Sequence, residues 1–294
     1  MSRTGRTRTD RTGIDLGEVF AEVLGAYLLD LERKGLRPSS ILKYRFQLVA
    51  FAEWIHPAEI VGVDREVIDR FLDGRQLVPK TRYAWISALH MFFEWAVMNG
   101  RAVEDPTLRI PRPRSPRLVP RPIRDEDLAD AMVEAPADVK AMLVLAAYQG
   151  LRCGEIATLD RDDLLDRNNP PVMIVVDGKG GHQRVLPLHP ATMPALRVAG
   201  LPRAGWVFTR PNSTYRLHGW QVSQIVGRYL HSMGIDASAH QLRHWFGTKT
   251  YQASRDLRAV QHLMGHASPT TTAGYAAYST EGARAAVESL EATR

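Results

Sequence analysis

The sequence predicts a mainly α-helical protein with two domains and one small β hairpin or sheet in the second domain. Three observations support this fold class. Apolar residues recur at helical spacing along most of the chain, one stretch shows β-branched runs around a glycine-rich turn, and a proline-rich segment interrupts the helical pattern at residues 109–124. Because proline fixes φ and lacks an amide proton, this segment is neither helix interior nor central strand. We expect a semi-rigid linker there, between domains of residues 14–108 and 125–294.

Four helices are predicted in the first domain. Pro38-Ser39-Ser40 opens the second helix and Pro79 opens the fourth, whereas Gly35 and Gly100 end the first and the fourth. An aromatic face runs along the fourth helix from Tyr83 to Trp95. The expected helices cover about residues 19–34, 38–55, 64–72 and 79–99.

The second domain is predicted to be helical on both sides of a β hairpin. A β-branched run at residues 172–176 is followed by a glycine-rich turn at 177–181 and a second short run at 184–188. Helices are expected before the hairpin at 125–134, at 137–148 and from Cys153, and after it at 190–198, 219–233, 239–253, 257–264, 270–278 and 280–291.

The charge of the chain favours a polyanionic partner. Its net charge is +6 and its isoelectric point is about 9.6. Arginines concentrate in the tail, residues 1–13, and in the linker, where they have no acidic residue among them. They are interpreted either as contacts to a phosphate backbone or as solvated positions that keep tails and linkers soluble. The linker arginines are Arg109, Arg112, Arg114, Arg117, Arg121 and Arg124.

Composition also restricts where the protein works. No apolar run approaches the ~20 residues that a membrane span needs, and the arginine-rich start lacks the apolar core of a secretory signal. The single cysteine, Cys153, cannot form an internal disulfide, which fits a reducing compartment. We expect a cytoplasmic protein without membrane contact.

Three short motifs place cations where they could hold an anion. His240 and Arg243 are three residues apart on a predicted helix and share a face, as two ligands of one phosphate oxygen would. Arg152 follows a glycine at a predicted helix start. Lys179 lies in the glycine-rich turn, and lysine can donate a proton whereas arginine practically cannot. Taken singly, each also fits an ordinary solvated surface position.

His262 and His266 have the i, i+4 spacing of a metal pair. Position 263 is leucine rather than the glutamate of a zinc protease helix, and no third ligand follows. We therefore expect no metal here.

The order of the motifs resembles the tyrosine recombinase, or phage integrase, family. The pieces are GLRCGE at 150–155, GKG at 178–180, HQLRH at 240–244, LMGH at 263–266 and TTAGY at 271–275. The resemblance covers nearly the whole chain, and the first domain looks like the family's core-site DNA-binding domain. It implies two domains that form a clamp around DNA. One departure is Trp245, which stands where serine or threonine is commoner.

The resemblance also implies a role for each matching residue. A tyrosine would attack the scissile phosphate and form a 3′-phosphotyrosine, a lysine would protonate the leaving 5′-oxygen, and four cationic side chains would bind the phosphate. The nucleophile would be Tyr275, with Tyr278 as the alternative; the acid would be Lys179, with His240 as the alternative; and the phosphate-binding residues would be Arg152, His240, Arg243 and His266. Glu155 matches a supporting acidic position.

The implied activity is site-specific recombination through a Holliday junction, without metal, ATP or other cofactor. Integration or excision of a phage or mobile element is favoured, and Xer-type dimer resolution is the alternative. A type IB topoisomerase and a catalytically inactive DNA-binding protein are further readings. The implied partners are double-stranded attachment or core sites, a homotetramer on DNA, and a directionality factor or host accessory protein. Candidate DNA contacts are Lys43, Arg45, Lys80, Arg82, Arg112, Arg114 and Arg117.

The last expected helix, residues 280–291, carries small apolar residues at helical spacing. By the same resemblance it would dock onto a neighbouring protomer on DNA. The alternative is that it packs on its own domain.

Overall fold

The computed structural model describes residues 18–56, 62–113, 121–176, 183–266 and 272. The chain divides into two compact units, residues 1–117 and 118–294, and the division falls within the proline-rich segment. Each unit has its own hydrophobic core. Among the described residues, no helix is both long and apolar enough to cross a membrane.

The first unit contains four helices in its described part. Pro38 and Pro79 occupy the first turns of the second and fourth helices, where a missing amide proton costs no hydrogen bond. Asp64 caps the third, because its carboxylate accepts from the Val67 amide at 2.9 Å. The helices are α1 Glu18–Arg33, α2 Pro38–Ile55, α3 Arg65–Asp73 and α4 Pro79–Met98, which confirms the four predicted ones.

Aromatic side chains fill the core of the first unit. Phe51 packs edge-to-face on Phe71 with ring centroids 4.9 Å apart, and Tyr27 packs in the same way on Phe92 at 5.3 Å. All four rings are buried. The aromatic face predicted for α4 therefore lies inside this unit at Phe92, Phe93 and Trp95, whereas Tyr83 at its start is exposed.

The second unit is built around one buried helix. Every residue of α6 from Ala141 to Ala147 is buried, so this helix is covered on all sides. Its neighbours include α8, α9 and α10. Within its described residues, the helices of this unit are α5 Asp125–Glu134, α6 Ala137–Ala147, α7 Cys153–Ala157, α8 Thr192–Val198, α9 Gly219–Ser232, α10 Ala239–Ser254 and α11 Leu257–Met264, with a 3₁₀ turn at Arg161–Asp163.

A small antiparallel sheet accompanies these helices. Its order is β1 Leu164–Leu165, β2 Val172–Val176 and β3 Gln183–Pro187, and Val172 pairs with Pro187. The two predicted strands are confirmed, with β3 one residue earlier than expected. Sequence reasoning missed β1, because two residues are too few to show a strand period. The predicted turn at 177–181 and the predicted helices at 270–278 and 280–291 lie outside the described residues, apart from Thr272.

Candidate functional site

Glu155 is the centre of a cluster of arginines in the second unit. It lies in α7, which begins directly after Arg152, and its side chain is 6% exposed. The Arg152 amide donates to Glu155 Oε2 and Arg152 Nη1 donates to Oε1, both at 2.8 Å. Arg184 of β3 donates to the same two oxygens through Nη1 and Nη2, both at 2.9 Å. Two arginines from different elements therefore share one carboxylate.

Arg243 of α10 brings a third guanidinium to this cluster. Its side chain is 2% exposed, and its Nη1 lies 3.7 Å from Glu155 Oε2. Nη1 also donates to the carbonyl of Gly150, and Nη2 donates to the carbonyl of Met264. These bonds fix the plane of the Arg243 guanidinium between the loop that precedes α7 and the end of α11.

Two glycines allow close packing around the cluster, one against Phe246 and one against Arg184. Gly150 has φ +64°, and an added Cβ would overlap the ring of Phe246. Gly265 ends α11 with φ +60°, and an added Cβ would lie 2.8 Å from Arg184 Nη1. The carbonyl of Gly265 accepts from Arg152 Nη2 at 2.8 Å. The glycines of the GLR and MGH motifs are therefore steric requirements of the cluster.

Three histidines lie beside the guanidiniums. The His240 and His244 rings meet edge-on with centroids 4.4 Å apart. Burial, His240 and Arg243 lower the pKa of His244 to about 4. Burial, Arg243 and Arg152 lower the pKa of His266 to about 4, and His266 Nδ1 lies 2.9 Å from Thr272 Oγ1. His244 and His266 are therefore neutral at pH 7 in this structure.

The cluster carries excess positive charge. Burial by itself raises the pKa of Glu155, but the hydrogen bonds and charge of Arg184, the Arg152 amide and the Arg243 charge outweigh burial and hold that pKa below its usual value. Glu155 is therefore ionised at pH 7. Three guanidiniums around one carboxylate leave a net charge of +2. Such a site is suited to an anion with several oxygens.

The end of the linker is attached to the helix that carries these groups. The Ile123 amide donates to the carbonyl of Gln241 at 3.4 Å. Asp125, the first residue of α5, accepts from Trp245 Nε1 and from Lys249 Nζ, both at 2.6 Å. These bonds lower the pKa of Asp125. Trp245, the departure from the common motif, therefore binds the segment that enters the second unit.

A family model described as the phage integrase family matches residues 125–281, slightly more than half of the 294 residues. The chain belongs to the phage integrase family. Tyrosine recombinase XerD of Caulobacter vibrioides is 31% identical over 240 residues, covering 74% of this chain and 78% of that one. Tyrosine recombinase XerC of Neisseria meningitidis serogroup B is 32% identical over 280 residues, covering 87% of this chain and 90% of that one. This phage integrase family member is accordingly a tyrosine recombinase, an enzyme that cleaves and rejoins DNA.

The fold is also that of solved recombinases. The structure of a lambda integrase tetramer bound to a Holliday junction superimposes with a TM-score of 0.70 at 20% identity, covering 88% of this chain and 81% of that one. At this identity the likeness shows the fold, which is mainly helical with a small antiparallel sheet.

The structure brings together four of the six residues predicted to be catalytic in this integrase family member. Arg152, Arg243 and His266 adjoin the Glu155 cluster, and His240 contacts it through His244. Lys179 and Tyr275 lie outside the described residues, as do Tyr278, Arg114 and Arg117. Among the described residues, no group of three or more His, Cys, Asp or Glu side chains could hold a metal ion.

The remaining candidate DNA contacts lie in the first unit. Lys43, Lys80 and Arg112 are exposed and Arg45 is half-buried. Arg82 Nη1 makes an ion pair with Asp73 Oδ1 at 2.8 Å. Their role as DNA contacts stays a prediction.

Sequence reasoning missed Arg184, although a signal for it exists. In β3 the buried positions alternate with exposed ones, and Arg184 shares the inward face with Leu186. A charged residue at an inward strand position is rare without a buried partner, so the period of this short strand predicts that Arg184 has a buried acidic partner but does not say which acid that is.

Proposed function

We propose that this enzyme is a site-specific recombinase in which Tyr275 attacks a scissile phosphate bound by Arg152, His240, Arg243 and His266. The attack gives a 3′-phosphotyrosine and releases a 5′-oxygen, which Lys179 protonates. The observation that carries the proposal is the convergence of three guanidiniums on Glu155 with a net charge of +2.

The charge of the cluster fits the transition state of this reaction. A phosphodiester carries one negative charge, and attack by a phenolate adds a second, so the pentacoordinate phosphorane carries two. Preorganised cations that meet charge as it develops are usually the largest single contribution to such catalysis. Because the phosphotyrosine keeps the energy of the phosphodiester, rejoining needs no external energy source.

Position along the chain supports Tyr275 as the nucleophile. The hydroxyl of buried Thr272 lies 2.9 Å from His266 Nδ1. Tyr275 follows three residues later, and three residues of chain reach at most about 11 Å. A tyrosine hydroxyl has a pKa near 10, so forming the phenolate at pH 7 costs roughly 4 kcal/mol. Nearby positive charge reduces that cost.

The wider proposal is that the two units form a clamp on double-stranded DNA and that four chains assemble on a Holliday junction. Two units with separate cores, joined by an arginine-rich segment, support the clamp. The lambda integrase of the same fold is a tetramer bound to a Holliday junction, which supports the assembly. A cytoplasmic location, and a directionality or host accessory factor, belong to the same proposal.

We favour integration or excision of a phage or mobile element, because the stretch from HWFGT at 244–248 to GYAAYS at 274–279 looks closer to phage integrases. Xer-type dimer resolution is the second candidate. The similarity to XerC and XerD at 31–32% identity favours the second. Sequencing the DNA trapped on the protein in cells separates them. Two different sites that become joined would indicate integration, whereas a single site that pairs with its own copies would indicate resolution.

A nicked suicide substrate tests the nucleophile. Cleavage next to the nick releases a short fragment and traps the protein on DNA as a covalent adduct. Tyr275→Phe removes only the phenolic oxygen, so we expect no adduct and nearly unchanged DNA binding by gel shift. Tyr278→Phe is the matched control and should form adducts. Adducts from Tyr275→Phe, with none from Tyr278→Phe, would move the assignment to Tyr278.

A further inference from the structure

Arg184 is a buried guanidinium that adds to the charge of the site but to which the proposed reaction assigns no contact with the phosphate. It lies on β3 with a side chain 6% exposed. Nη1 and Nη2 donate to the two oxygens of Glu155, and Nε donates to the carbonyl of Leu263 at 3.1 Å. We infer that Arg184 is a positioning residue, which holds the Glu155 carboxylate in the orientation that fixes Arg152 at the phosphate site. This inference rests on the proposed function.

The bonds at Glu155 show how Arg184 reaches Arg152. Oε1 accepts from Nη1 of both arginines, and Oε2 accepts from the Arg152 amide and from Arg184 Nη2. The carboxylate cannot rotate toward one arginine without breaking bonds to the other. Arg184 therefore sets the plane of the carboxylate against which Arg152 aligns.

Hydrogen bonding assigns the role of Arg184. All three nitrogens of its guanidinium donate within the protein, Nη1 and Nη2 to the two oxygens of Glu155 and Nε to the carbonyl of Leu263. The Arg152 side chain is 37% exposed, so an incoming phosphate can reach it. We therefore assign Arg184 to the support of the site and not to direct contact with the phosphate.

Arg184 also contacts both chain segments that hold Arg152, namely α7 at Glu155 and the end of α11 at residues 263–265. The other end of the Arg152 guanidinium donates to the Gly265 carbonyl, and Gly265 stands so close to Arg184 that no side chain fits between them. Loss of Arg184 would free both supports of Arg152 at once. A displacement of about 1 Å in a catalytic group can cost on the order of 100-fold in rate.

Single-turnover cleavage of the nicked substrate by the full chain tests this role. Arg184→Gln should slow cleavage on the order of 100-fold while DNA affinity stays nearly unchanged, because the ground-state contacts to DNA remain. Arg184→Lys keeps the charge but lacks the planar fork that fixes the carboxylate, so it should restore thermal stability more than cleavage rate. Arg161→Gln is the matched control, since it removes another partly buried arginine–carboxylate pair of the second unit, with Asp166, and should leave the rate unchanged.

A double-variant cycle tests whether Arg184 acts through Glu155. Glu155→Gln should slow cleavage to a similar extent, and Arg184→Gln with Glu155→Gln should be no slower than the worse single variant. Multiplied rate losses in the double variant would overturn the inference. So would a wild-type rate for Arg184→Gln, or full rescue of the rate by Arg184→Lys.

A substrate with sulfur at the 5′ bridging position excludes the competing route through Lys179, which precedes Arg184 by five residues. The thiolate leaves without an acid, so sulfur should rescue Lys179→Ala but not Arg184→Gln. Rescue of Arg184→Gln would show that it acts through Lys179 and would overturn the inference. Failure of the proposed function itself is distinguishable, because the wild-type chain would then form no adduct.

Discussion

His244 and His266 are neutral imidazoles that lie close to positively charged arginine side chains. Burial and neighbouring charge, chiefly from Arg243 in the case of His266, lower the pKa of each from 6.5 to about 4. A bound phosphate would bring negative charge to the same place and would raise both pKa values. The charge state of each ring is therefore coupled to occupancy of the site.

These two shifts predict a pH dependence of stability. Between pH 6.5 and about 4 the unfolded chain binds protons at His244 and His266 that the folded chain does not, so the free energy of unfolding falls as the pH falls through this window. Denaturant unfolding of the DNA-free protein at several pH values measures it. His244→Asn with His266→Asn should show a shallower slope, and an unchanged slope would contradict the two low pKa values.

At the scale of elements, the C-terminal end of α11 is fitted to the arginine cluster. Gly265 has a left-handed φ, and a Cβ added to it would lie only 2.8 Å from Arg184 Nη1. Gly234, which follows α9, has φ +74° but open space where a Cβ would go. Comparing alanine substitutions at Gly234 and Gly265 therefore distinguishes the effect of backbone strain from that of a steric collision.

Gly265→Ala should be more damaging than Gly234→Ala. Gly234→Ala carries backbone strain alone, on the order of 1 kcal/mol, whereas Gly265→Ala adds a collision that must move Arg184. Thermal unfolding should show the larger loss for Gly265→Ala, and cleavage of the nicked substrate should fall for Gly265→Ala only. Equal cleavage by the two variants would mean that the position of Arg184 does not matter.

The same elements show what the sequence could and could not predict. Prolines at helix starts, glycines after helix ends and the spacing of apolar residues predicted α2, α4 and α5 closely. These signals lie within a few residues of the helix that they delimit. The order of the sequence motifs predicted that Arg152, His240, Arg243 and His266 lie in one site. The bonds of Arg184 to Glu155 and Leu263 join residues 29 and 79 positions apart, and no local pattern encodes such a partner.

At the scale of the whole molecule, the two units complete their cores separately, and the segment between them is rich in arginine. An arginine that neutralises a phosphate releases counterions, so its contribution to binding depends on salt and not on base sequence. The linker is therefore expected to strengthen binding to specific and non-specific DNA alike.

Salt titration of DNA binding tests the linker arginines. Changing Arg112, Arg114 and Arg117 together to alanine should weaken binding and lower the slope of log Kd against log salt by up to about three. The matched control changes Arg65, Arg70 and Arg197, which contact carboxylates or a carbonyl of the protein, and should leave the slope nearly unchanged. Equal slopes for both triple variants would show that the linker does not contact phosphate.

The attachment of residues 123–125 to α10 has a consequence for engineering hybrid recombinases. Ile123 at the end of the linker bonds Gln241, and Asp125 at the start of α5 bonds Trp245 and Lys249, so the entry to the second unit is anchored to α10. A fusion that joins a foreign DNA-binding unit at residue 125 would omit Ile123 and could disturb Asp125. A crossover placed before residue 121 would transfer the second unit together with the bonds that anchor its entry to the helix of His240 and Arg243.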